Sequence, residues 1–193
     1  MFNSKSLDSD LFKFLALTVA FGVIYTLNNW LTPFLNLLPA AHLIHIPSGI
    51  KFLIVLLFWL TGALSIATVS LLAGLWVYFP DNYPVSLELA LVNAISPLLT
   101  LKLFKGSLSL DEVIEQLNWT KLLKMGLLFS LLNSAMNQLV VYWNGVTEDI
   151  LRGLEVMFIG DITGFYITLS LMKLMAPHFK RPVDRIQQKN QPL

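Results

Sequence analysis

From Phe52 to Phe79 the chain runs 28 residues without a charged side chain. A membrane span needs about 20 apolar residues, so a run of this length belongs in a bilayer rather than in the core of a soluble domain. Four further stretches have the same character: Phe14–Leu31, Leu87–Phe104, Lys124–Trp143 and Leu154–Met175. Only 13% of the 193 residues are charged, against about 25% in an ordinary soluble domain. A helix satisfies its own backbone hydrogen bonds in lipid, so the expected fold is all-α, a polytopic transmembrane helix bundle. It forms one domain, 1–179, followed by a polar tail, 180–193, expected to be disordered. The net charge of +1 gives no basic field for a nucleic-acid partner. The absence of cysteine removes disulfides, thiolate metal sites and a Cys nucleophile.

The spans number six if Phe52–Phe79 is a hairpin broken at Thr61-Gly62, and five if it is one long helix. Phe14–Leu31 is a permanent span, since Asp8 and Asp10 precede it and no small-residue cleavage site closes it. Basic residues arbitrate between the counts, because they stay on the cytoplasmic side. Lys102, Lys105, Lys121 and Lys124 mark one cytoplasmic connection, and Lys180, Arg181, Arg185 and Lys189 mark the tail. With six spans, only Lys51 and Arg152 face outward; with five, Lys5, Lys13 and Arg152 do. The expectation is therefore six spans in an inner (plasma) membrane, with both termini cytoplasmic. The connection 105–124 contains Ser109-Leu-Asp-Glu112, a capping box. Leu110, Val113, Ile114 and Leu117 then recur at helical spacing, which predicts a short amphipathic helix near 109–117 on the cytoplasmic surface.

Polar groups inside the apolar runs are the candidate functional residues, because each is costly in hydrocarbon. Asp161 lies in "GDITG", and Gly160 and Gly164 around it have the GxxxG spacing that lets another helix approach closely. Asn133 and Asn137 share a helix face with Ser130 and Ser134 nearby, and Asn93 lies close to Ser96, Pro97 and Thr100. At 1.5 Å per residue, Asn93, Asn137 and Asp161 all lie roughly 10 Å inside the outer ends of their helices. Lys51, His42, His45, Asn28 and Asn29 fall towards the same side. This predicts a ligand-binding pocket that opens outward. Lys51 and Asp161 would form its ion pair, and Asn93 and Asn137 would orient the ligand. Interhelical hydrogen bonding accounts for each amide taken singly. His42 and His45 lack a carboxylate at ligand spacing and read as interfacial loop histidines, with no metal. No nucleophile elbow, P-loop or dinucleotide fingerprint is present, so neither a cofactor nor catalysis is expected.

Several stretches match one family in pattern. "IPSGIKFLIVLLF" (46–58), "TGALSIATVSLLAG" (61–74), "LVNAISPLLTLKLFK" (91–105) and "GDITGFYITLSL" (160–171) resemble the bacterial membrane-associated sensor (MASE-type) domains. The matching positions are Pro47, Gly49, Asn93, Gly160, Asp161 and Gly164. The resemblance implies an integral membrane sensory module of the kind often fused to a histidine kinase or a diguanylate cyclase. Eighteen residues follow Met175, too few for an output domain, so a sensor of this form would signal through a separate protein. The alternative is the substrate-binding subunit of an energy-coupling-type vitamin transporter, with Ala16 and Ala20 as a docking spacing on the first helix. A third class is a structural or assembly protein. The expected partners are the lipid bilayer, a separate signalling or transporter protein and a small-molecule ligand, with no nucleic acid.

Overall fold

The computed structural model describes residues 4–33, 36–38, 41–105 and 118–189. The predicted amphipathic helix at 109–117 lies outside the described residues. The order is α1 (Ser4–Leu31), a two-stranded hairpin of β1 (Asn36–Leu38) and β2 (Ala41–His42), α2 (Ile46–Ala73) ending in a wider turn at Gly74–Tyr78, α3 (Tyr83–Lys105), α4 (Trp119–Trp143) and α5 (Ile150–Lys189). Among the described residues the regular structure is helical apart from that small hairpin. Among the described residues, five helices are long and apolar enough to cross a membrane, one of them Ile46–Tyr78. Helices α2, α3, α4 and α5 close a ring, and α1 packs on its outside against α2.

The element count is five rather than the expected six because helical backbone resumes after a single non-helical residue. That residue is Trp59, not Thr61-Gly62, and it holds the left-handed φ of 47°. A straight helix from Ile46 to Tyr78 would be about 50 Å long, yet His42, just before its start, hydrogen-bonds Tyr78 at its end. The helix therefore doubles back at Trp59. Gly62 is the residue that lets the arms meet, since a Cβ there would stand 2.6 Å from the Ile54 carbonyl oxygen.

Two apolar clusters flank the polar middle. The larger is built around Phe52, Phe129 and Phe165, with Phe21, Ile66, Leu101 and Met125. The smaller joins Phe79, Val85, Leu89 and Val141. Pro47 near the start of α2 and Pro97 within α3 are both buried. The start of α2 is capped from another helix, because Asn28 of α1 accepts the Ile46 N–H at 3.2 Å. At its far end α5 continues as helix to Lys189.

The GxxxG of α5 serves a different partner from the one expected. A Cβ at Gly160 would collide with the His42 carbonyl, and one at Gly164 with the His45 carbonyl. The two glycines receive the loop that leads into α2, not another helix. Gly49 completes the fit, with Thr168 and the Gly164 carbonyl against the space its side chain would fill. Gly22 on α1 is an internal control, since a Cβ there meets only Val69 at an ordinary 3.7 Å. Gly164→Ala is expected to lower the stability by about 1–3 kcal/mol, the usual cost of overpacking. Gly22→Ala should hold or raise it through helix propensity. Thermal unfolding in detergent or nanodiscs distinguishes the two.

Candidate functional site

The site is assembled where the start of α2 meets α3, α4 and α5. Asp161 on α5 is buried, with 1% of its surface exposed. Its Oδ2 accepts from Asn133 Nδ2 of α4 at 2.6 Å. Its Oδ1 accepts from Ser48 Oγ and lies 3.3 Å from His45 Nδ1. A buried carboxylate with three polar partners is satisfied where a lone one would be prohibitively costly.

Lys51, also buried, donates to Asn93 Oδ1 at 2.7 Å and to Asn133 Oδ1 at 2.9 Å, and its Nζ lies 5.3 Å from the centre of the Phe129 ring. Ser96 adds a further donor to Asn133 Oδ1 at 2.8 Å. The expected ion pair between Lys51 and Asp161 is therefore not a direct contact. Asn133 stands between them, its carbonyl oxygen towards the amine and its NH2 towards the carboxylate. An amide can do this because it carries an acceptor and a donor on one rigid plane. Among the described residues, the ion pair of fixed charge within 4 Å is the exposed Lys13–Asp10, and the 3.3 Å contact of His45 Nδ1 with Asp161 Oδ1 is a hydrogen bond when the ring is neutral.

Asp161 faces the bundle interior, and the amide it meets is Asn133 rather than Asn93 or Asn137. Asn93 and Asn137 do line the same cavity, together with Lys51 and Asp161. Asn137 anchors itself by donating to the Asn133 carbonyl at 2.8 Å. The cavity has a volume of about 50 Å³, room for one or two waters. Tyr25, His42, His45, Ser70, Tyr78 and Asn133 add to its polar wall, and Phe21, Phe79 and Leu89 are among its apolar lining. Phe79 and Leu89 belong to the smaller apolar cluster, whereas Phe129 under Lys51 belongs to the larger, so the site lies between the two.

Comparison of the chain with protein-family models, with curated proteins and with solved structures gave no match. The site therefore has to be read from its own chemistry.

The histidines lie on a loop, with His42 buried and His45 half-buried. The loop that carries them is pressed onto Gly160 and Gly164, with His45 N–H donating to the Gly160 carbonyl at 3.2 Å. Their rings stack at 5.7 Å and 9°. His42 is 4% exposed, and its Nε2 lies 3.3 Å from the Tyr78 hydroxyl. Burial and the neighbouring His45 push His42 down to about 4. Sequence reasoning put His45 on the side of the pocket without a role in it, and missed Asn133 and Ser48 as parts of the site. Asn133 was visible only as one of two amides on a shared face. Ser48 and His45 stand in a loop whose path is set by glycines on a distant helix.

Two outcomes follow. Asn133→Ala removes the group that pairs both buried charges and should cost about 3–5 kcal/mol, as breaking a buried ion pair does. Asn137→Ala deletes one backbone contact and should cost about 1 kcal/mol. Calorimetry or thermal melts in nanodiscs check the ranking. His42, with a folded value of about 4 against an ordinary 6.5, binds its proton more readily when unfolded. It contributes no penalty above pH 6.5 and destabilises the fold progressively as pH falls towards 4, by at most about 3 kcal/mol. His42→Gln should flatten that part of the stability profile.

Proposed function

We propose that the chain is a multi-pass membrane protein that binds a small polar molecule in the cavity between Lys51, Asn93, Asn137 and Asp161. Its role would be that of a sensory module, without catalytic turnover, passing its state to a separate partner. The observation that carries this reading is a preorganised polar cavity inside an otherwise apolar bundle. The cluster at Asn133 holds Lys51 and Asp161 in place, while Asn93 and Asn137 each keep an amide atom without a protein partner on the cavity wall. Polar groups used only to join helices would be expected to spend those atoms on one another. The MASE-type resemblance supports the same site, because Gly49, Gly160 and Gly164 seat the loop beside Asn93 and Asp161.

The reading also assigns six crossings of an inner (plasma) membrane, the two arms of α2 counting separately, with both termini cytoplasmic. The fold-back at Trp59 and the meeting of His42 with Tyr78 support this arrangement. The cavity then lies towards the outer side, where the histidine loop and the turn between α2 and α3 meet.

One observation favours the transporter alternative. Ala16 and Ala20 are both exposed on α1, on a face turned from the bundle and flanked by exposed Phe12, Val19 and Val23. A flat strip of this kind suits close docking of a helix from a transport partner.

Native mass spectrometry of protein extracted directly from membranes tests the reading. A retained small molecule that is lost in Asn93→Ala and Asn137→Ala, with unfolding temperatures little changed, is the expected result. Loss of folding in both variants with nothing retained by the wild type would count against it. With no native cysteine among the described residues, Asp81→Cys should be labelled from outside and Lys105→Cys from inside.

A further inference from the structure

The hydrogen bonds around His45 determine which of its nitrogens carries the proton. Ser48 has one hydroxyl proton, and the carboxylate of Asp161 is its acceptor. Ser48 Oγ can then only accept from His45 Nδ1, which stands 2.7 Å away. Asp161 Oδ1, 3.3 Å from the same nitrogen, also requires a donor there. Nδ1 therefore carries the hydrogen, and in the neutral ring Nε2 is left with its lone pair. That nitrogen has no protein partner, and the ring forms part of the cavity wall.

The ring is also held rigidly. His42 stacks on one face, and the Tyr25 ring stands edge-on at 5.9 Å and 84°. Its backbone N–H is bound to Gly160, and its carbonyl is pressed against Gly164. On the same cavity, the Asn93 oxygen is occupied by Lys51, which leaves the Asn93 NH2 as a donor. Lys51 has used two of its three N–H groups. The cavity thus offers one fixed acceptor, His45 Nε2, together with donors from Asn93 and Lys51. At about 50 Å³ it admits one functional group and not a bulky body.

We propose that His45 is the specificity-determining residue of this cavity, and that the group it takes is a primary carboxamide. The N–H of the ligand donates to His45 Nε2, and its carbonyl accepts from Asn93 and Lys51. This rests on the reading of the cavity as a ligand site and adds the chemistry of the ligand. Asp161 and Ser48 act as positioning residues, since they fix the tautomer without touching the ligand.

Acetamide and acetone make the test, being close to isosteric and differing in the donor. The full chain, labelled with 15N-histidine, is placed in nanodiscs and titrated with each probe. Before addition, His45 should show a protonated Nδ1 and an unprotonated Nε2. Acetamide should then move the Nε2 signal and bind about tenfold more tightly than acetone, the worth of one hydrogen bond. His45→Asn keeps a side-chain N–H for Ser48 and Asp161 but deletes Nε2, so it should lose the preference for acetamide. Equal binding of the two probes by the wild type, an Nε2–H tautomer, or an undiminished preference in His45→Asn would overturn the role of His45 while the cavity remained a ligand site. Binding of neither probe to the wild type would overturn both. Should His45→Asn fail to fold, the wild-type preference and the 15N signals still decide.

Discussion

Asp161 is buried in the middle of a bundle whose other walls are hydrocarbon-like, and the arrangement of four helices follows from satisfying it. The carboxylate draws Asn133 from α4 and the Ser48–His45 pair from the start of α2. Through Asn133 it is coupled to Lys51, and through Lys51 to Asn93 on α3. An amide between two opposite charges gives up some direct attraction, but it satisfies both ends and leaves neither charge alone in a low dielectric. The same geometry keeps Lys51 and Asp161 apart, which is why a cavity persists between the surrounding side chains instead of collapsing into an ion pair.

A second constraint acts through the backbone. The loop 42–46 has to enter the bundle with its carbonyls against α5, and only residues without a side chain permit that distance at positions 160 and 164. A spacing usually associated with helix pairs here seats an irregular segment. Unpaired backbone inside a membrane protein must find partners, and it does so through His45 N–H to the Gly160 carbonyl and Ile46 N–H to Asn28. The packing that closes the bundle therefore also delivers two histidines to the cavity.

The fold-back of α2 belongs to the same logic. Trp59 adopts a backbone conformation disfavoured for a residue with a side chain, and the surrounding contacts hold it there. Its consequence is that the loop before α2 and the far end at Tyr78 meet near His42 and Tyr25, roofing the cavity with aromatic and imidazole rings.

The sequence by itself determined the solvent, the helical class and most of the candidate residues. Apolar length and the cost of burying charge are local properties that can be read one residue at a time. Asp161, Lys51, Asn93 and Asn137 were legible for that reason, and all four line one cavity. The direction of each side chain was not legible, because these helices are apolar nearly all round and periodicity marks no inner face. Tertiary structure alone decided that Asn133 and not Asn137 bridges the charges, that the glycines of α5 receive a loop, and that Trp59 is the bend. It also alone brought His45 and Ser48 to a carboxylate more than a hundred positions away. Each of these depends on which surfaces meet across long separations, and partner choice of that kind is set by shape and hydrogen-bond geometry, which no stretch of this chain carries alone.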